Sequence, residues 1–128
     1  PSVAVDTKKG MQEIYSDIVS DHERFRRELI RARENDVKII LLCEHGKDIE
    51  TLEDVFFWEN PRSKPSRWVM RDGHPCKVPA SRKAVTGRQL YKSLNTISER
   101  YGIEIYFCEK SETGKRIIEL LEKYNGEH

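Results

Sequence analysis

Cysteine is scarce in this chain, long apolar runs are absent, and acid is nearly missing from one extended stretch. The three cysteines among 128 residues are odd in number and widely spaced. That argues against a disulfide framework and for a reducing, intracellular setting. No segment approaches the roughly 20 apolar residues of a membrane span. The start of the chain also lacks the basic, apolar and small-residue succession of a secretory signal. No internal repeat is visible. What remains is 37% apolar and 35% charged, a composition that suits one soluble domain over residues 1–128 with a modest core and a heavily solvated surface. The chain opens on Pro1 rather than Met, so an excised or processed domain is expected.

The net charge of +1 conceals a strong asymmetry. Between Pro61 and Lys92 stand nine basic residues against the single acid Asp72, a local charge of +8, so the rest of the chain carries −7. Four of the five prolines also fall in this region. A long basic loop is expected over 61–85, with Arg62, Lys64, Arg67, Arg71, Lys77, Arg82, Lys83 and Arg88 gripping a phosphate backbone and Trp68 offering a stacking surface. The competing reading is a solvated charged loop without a partner. Near-total exclusion of acids from a neutral domain favours nucleic acid.

Periodicity supplies the elements. Val3 to Lys8 reads as a strand. Met11, Ile14, Tyr15, Ile18 and Val19 mark an amphipathic helix, and Ser20-Asp21 is placed to cap a second one running to about Asn35. Val37 to Glu44 is almost continuously apolar and β-favouring, as in a strand buried on both faces. Ile49 to Trp58 reads as a short helix or an irregular segment. Thr86, with Gln89 three residues on, opens a helix through Arg100 by a capping box. Ile103 to Cys108 is another buried strand, and a last helix starts around Ser111–Gly114. The order β-α-α-β-loop-α-β-α implies an α/β layer with a largely parallel sheet. Three strands make a small sheet, which suggests further strands on the N-terminal side.

Chemistry concentrates at the end of the first strand. Alternation puts Asp6 and Lys8 on one face and Thr7 on the other. A carboxylate beside an ammonium can hold a divalent metal and steady developing negative charge. Glu44 ends the second strand, and strand ends of a parallel sheet lie together where α/β sites form. Asp6 and Glu44 are therefore the expected metal ligands, with Lys8 polarising water or phosphate. Oxygen ligands of this kind suit Mg²⁺ or Mn²⁺.

The run Val5-Asp6-Thr7-Lys8-Lys9-Gly10-Met11-Gln12-Glu13-Ile14, with Glu23 to Leu29, the strand Lys38 to Glu44, and the stretch from Tyr91 through Thr113-Gly114 to Leu121, resembles the nuclease domain of the XPF-type excision-repair family in its phage and bacterial branch. The resemblance covers most of the chain except the basic loop and rests on order and spacing. It implies a restriction-endonuclease-like, PD-(D/E)XK three-layer fold, here truncated at its N-terminus. It also implies a structure-specific DNA-repair endonuclease, metal-dependent and acting on branched or flap DNA or at single/double-strand junctions, with pairing into a homodimer. Carried over by position, Asp6 stands for the catalytic glutamate and Lys8 for the catalytic lysine. Glu13 falls on the trailing acid with one extra residue between, Arg24 on the family's arginine and Glu28 on its glutamine. Thr7 departs from the family's arginine, and the upstream Gly-Asp strand that supplies a further metal ligand is absent.

Two alternatives compete: a DNA-binding or scaffold domain of the same fold without catalysis, and a small zinc module using Cys43, His45, His74 and Cys76. The zinc spacing is unlike the common Cys-x₂-Cys pattern, and Cys43 and Cys108 read as small buried hydrophobes. Arg24 is expected to pair with acids on its own helix. Phe56, Phe57 and Trp58 are expected in the core or at a dimer interface.

Overall fold

A computed structural model describes residues 2–79 and 84–126. Arg82 and Lys83, both assigned above to DNA, lie outside the described residues. Three parallel strands form the central sheet: β1 (Ser2–Lys8), β2 (Val37–Glu44) and β5 (Glu104–Cys108), in the order β1-β2-β5. Lys8 is level with Cys43, and Cys43 with Phe107. The apolar run of β2 sits in the centre, and Ile40, Leu41, Leu42 and Cys43 are fully buried. Burial on both faces is what an unbroken Val/Ile/Leu run requires.

Helices cover both faces. Between β1 and β2 the chain forms α1 (Met11–Ile14), a π-helical turn (Tyr15–Ser20) and α2 (His22–Glu34). Between β2 and β5 lies α3 (Gly87–Tyr101). Their apolar stripes, including Met11, Ile14, Ile18, Phe25, Leu90, Leu94 and Ile97, meet Leu41, Cys43 and Phe107 on one side of the sheet. The opposite side, with Ile40, Leu42 and Cys108, is closed by Leu120 and Tyr124 of α4 (Thr113–Gly126). The chain is thus an α/β domain with a parallel sheet.

Local chemistry explains most boundaries. Thr86 Oγ1 accepts from the Gln89 amide at 3.1 Å while the Gln89 side chain accepts from the Thr86 amide at 3.0 Å, and Gly102 closes α3 in the left-handed region at φ 65°. Ser20-Asp21 does not cap α2 through a side chain. Asp21, at φ −106° and ψ 48°, separates the π turn from α2, so a second helix does start at His22, where the sequence suggested. The Asp21 amide donates to the Ser16 carbonyl at 3.1 Å, a five-residue reach that carries one helical run into the next.

The basic region is not the irregular loop that its prolines suggested. After a 3₁₀ turn over Leu52–Phe57 and another over Pro61–Ser63, it forms an antiparallel hairpin of β3 (Pro65–Arg71) and β4 (His74–Pro79). Asp72 and Gly73 make its two-residue turn with φ of 52° and 78°, the positive pair that a tight hairpin needs.

Candidate functional site

The site begins with the geometry of a strand. Asp6 is level with Leu41, and Lys8 with Cys43, so both side chains project on the face covered by α1, the π turn and α2. Lys8 Nζ lies 3.2 Å from the Asp6 carboxylate and 3.1 Å from that of Asp17, which comes from the π turn. The lysine side chain is only 10% exposed, whereas Asp6 and Asp17 are 39% and 29% exposed. Burial by itself lowers the pKa of Lys8. The hydrogen bond to Asp17 and the charge of Asp6 outweigh it and hold the ammonium above its ordinary 10.5. A charged, buried lysine therefore stands between two carboxylates at the end of the sheet.

Arg24 extends the network. Its guanidinium is 3.5 Å from Asp17, 3.2 Å from Asp21 and 4.0 Å from Glu28. It engages acids of its own helical run, as the sequence suggested, and through Asp17 it also reaches the Lys8 cluster. The Glu13 carboxylate accepts from the Lys9 amide at 3.3 Å, and the acid that meets Lys8 besides Asp6 is Asp17. Nothing in the apolar spacing of 11–34 distinguishes a π turn from ordinary helix, so this acid was missed in the sequence.

Glu44 ends β2 level with Cys108, and strand alternation turns it to the α4 side, opposite to Asp6 and Lys8. The structure does not gather Asp6 and Glu44 on one face. Among the described residues, no group of three or more His, Cys, Asp or Glu side chains is arranged to hold a metal ion. The donor set does suit one kind of ion. It is all oxygen, and Asp6 is the more open of the two acids beside Lys8. Mg²⁺ commonly accepts one or two carboxylates and completes its shell with water and substrate phosphate. A fully protein-caged ion does not fit. The zinc alternative gains nothing from the geometry, because Cys43 faces the core and burial pushes its thiol up to about 12, while His74 and Cys76 belong to the hairpin.

The hairpin presents the basic residues. Register places Trp68, Met70, Pro75 and Lys77 on one face, and Arg67, Val69, Arg71, His74, Cys76 and Val78 on the other. Trp68 and Met70 are 68% and 69% exposed, and Lys77 Nζ lies 5.9 Å from the Trp68 ring centre. Lys64 pairs with Glu59 at 3.3 Å. Arg62, Arg67, Arg71 and Arg88 have no acidic partner among the described residues. Of the aromatic trio before the hairpin, Trp58 is buried in the core and Phe57 is 79% exposed.

One residue ties hairpin and site together. Asn60 is 2% exposed. Its side-chain oxygen accepts from Gln12 Nε2 at 2.6 Å and from the Arg62 amide at 3.0 Å, and its Nδ2 donates to the Val85 carbonyl at 2.9 Å. The two ends of the basic segment are thereby joined to each other and to α1, directly after the turn that follows Lys8. That turn needs Gly10, whose φ is 146°.

Compared with protein-family models, with characterised proteins and with solved structures, the chain shows no significant match.

Proposed function

We propose that this chain is a metal-dependent DNA endonuclease domain of restriction-endonuclease-like fold, hydrolysing phosphodiester bonds in branched or flap DNA. The observation that carries the reading is the pair at the end of β1: Asp6 and Lys8 on one face, 3.2 Å apart, with the ammonium buried and held charged. Asp6 would hold Mg²⁺ or Mn²⁺, and Lys8 would meet the negative charge that builds on the phosphate as it is attacked. Asp17 and Arg24 hold Lys8 and its neighbours in place. A bound ion of this type supplies an acidified water and neutralises phosphate charge. The unpaired cations and open Trp68 of the hairpin support a DNA surface whose affinity falls with salt.

A second reading, a DNA-binding domain without catalysis, is favoured by one observation: Lys8 already satisfies two carboxylates, and no third acid joins them among the described residues. A labelled forked duplex separates the two. The endonuclease cuts it with Mg²⁺ and stops when the metal is chelated. The binding domain retains it, with chelator making no difference and no product formed.

A further inference from the structure

Beside the π turn lies an open groove of about 360 Å³, on a floor of Val19 and Ile97 and bounded by His22, Lys92, Ser93, Thr96 and Arg100. Its chemistry is one-sided: two permanent cations, one imidazole, two hydroxyls and no carboxylate. Lys92, Thr96 and Arg100 recur every fourth residue, so they share one side of α3. Arg88 continues the same row at the N-terminal end of α3. From Arg88 to Arg100 the row spans roughly 18 Å of helix and contains no acid.

The cations of this row are exposed. Arg88, Lys92 and Arg100 have no ion-pair or hydrogen-bond partner among the described residues. The acids that flank His22 are already engaged, Asp21 with Arg24 at 3.2 Å and Glu23 with Arg26 at 3.9 Å. The unpaired basic row thus ends in a hydroxyl-lined groove. Hydroxyls and unpaired cations converging on a shallow cavity fit the oxygens of a phosphate group.

We infer that the groove between the π turn and α3 is a phosphate-binding subsite, with Lys92 and Arg100 as its charged contacts and Ser93, Thr96 and His22 as its hydrogen-bonding contacts. The row from Arg88 leads a nucleic-acid backbone into it. The inference rests on the nucleic-acid reading above and extends it to a second face. The hairpin holds one stretch of the strand, and the row on α3 holds another.

The test is the salt dependence of binding to a forked DNA duplex, measured for the whole chain in the presence of chelator so that cleavage plays no part. K92Q/R100Q removes two exposed charges and should leave the fold intact, as circular dichroism would report. The single variant R100Q provides a half-sized effect. K110Q/K115Q removes the same charge from the exposed start of α4 and its preceding turn. The slope of log affinity against log salt should become shallower by about 1.5 to 2 in K92Q/R100Q, with affinity falling roughly tenfold or more at about 100 mM salt. A change no larger than that of K110Q/K115Q, while the unmodified chain still binds, overturns the subsite and leaves the hairpin reading standing. Absence of salt-dependent binding by the unmodified chain overturns both.

Discussion

Replacing Asn60 by Ala removes three side-chain hydrogen bonds from a position that is 2% exposed. Two of the abandoned partners are backbone groups, the Arg62 amide and the Val85 carbonyl. Gln12 and Arg62 are exposed and regain water, so their loss costs little. A buried polar group left without a partner costs about 1–3 kcal/mol, and the half-buried Val85 carbonyl, the one sheltered group abandoned, sets the expected destabilisation at about 2 kcal/mol. For a domain of this length that corresponds to a fall in melting temperature of roughly 7 °C. The damage should also be local. Residues 60 and 85 bracket the hairpin, so limited proteolysis within 60–85 should accelerate more than unfolding of the sheet does. Asn60→Asp sharpens the test, because a carboxylate can still accept from Gln12 and Arg62 but cannot donate to Val85. It should therefore be destabilised at neutral pH and partly rescued in acid, where the protonated group donates again. Urea denaturation followed by circular dichroism gives the number. A loss under about 0.5 kcal/mol for Asn60→Ala would refute the clamp.

Gly87→Ala should destabilise by about 3 kcal/mol or more. A Cβ there would sit 2.5 Å from the Val55 carbonyl oxygen, closer still to that of Trp58, and 2.9 Å from the Trp58 amide nitrogen; a thermal melt equal to that of the unmodified chain would contradict the packing. Lys8 holds its proton more tightly folded than unfolded, so its contribution to stability is complete below its ordinary pKa of 10.5 and is lost as pH rises through the higher folded value. Urea midpoints from about pH 9 to about 11.5 should therefore fall more steeply for the unmodified chain than for Lys8→Met, and parallel curves would show that the ion cluster adds nothing. Native thiol labelling at about pH 8 should modify Cys76 first and leave Cys43 untouched, since burial holds the Cys43 thiol near 12; rapid labelling of Cys43 would mean that β2 is not closed by helices.

Much of the sheet and its helices was legible in the sequence because their signals are local. Val37 to Glu44 could only be a buried strand, and the Thr86/Gln89 capping box fixed the start of α3. The hairpin was hidden by its composition, since prolines and lysines at its ends read as loop. Asp72-Gly73 was the available signal, a pair that favours positive φ at both positions. The candidate site was half legible. Asp6 and Lys8 follow from strand alternation, which has a fixed period. Asp17 does not, because its meeting with Lys8 depends on one π turn that leaves no mark on the spacing of Ile14, Ile18 and Phe25. Glu44 was paired with Asp6 from the general rule that parallel strand ends converge, but register puts the two acids on opposite faces. Asn60 escaped notice because a buried amide joining residues 12, 62 and 85 is a tertiary fact.

If the end of β1 performs chemistry, Lys8 is more than a structural ion. The decisive measurement is single-turnover cleavage of a labelled forked duplex by the unmodified chain and by Lys8→Ala, with Mg²⁺ at saturation and DNA affinity measured in parallel. The expected result is metal-dependent product from the unmodified chain, and a fall of roughly a hundredfold or more for Lys8→Ala with affinity changed by less than about threefold, as when a group acts on the transition state rather than on binding. Equal rates for the two chains, or no metal-dependent product from the unmodified chain while DNA is still bound, would contradict it.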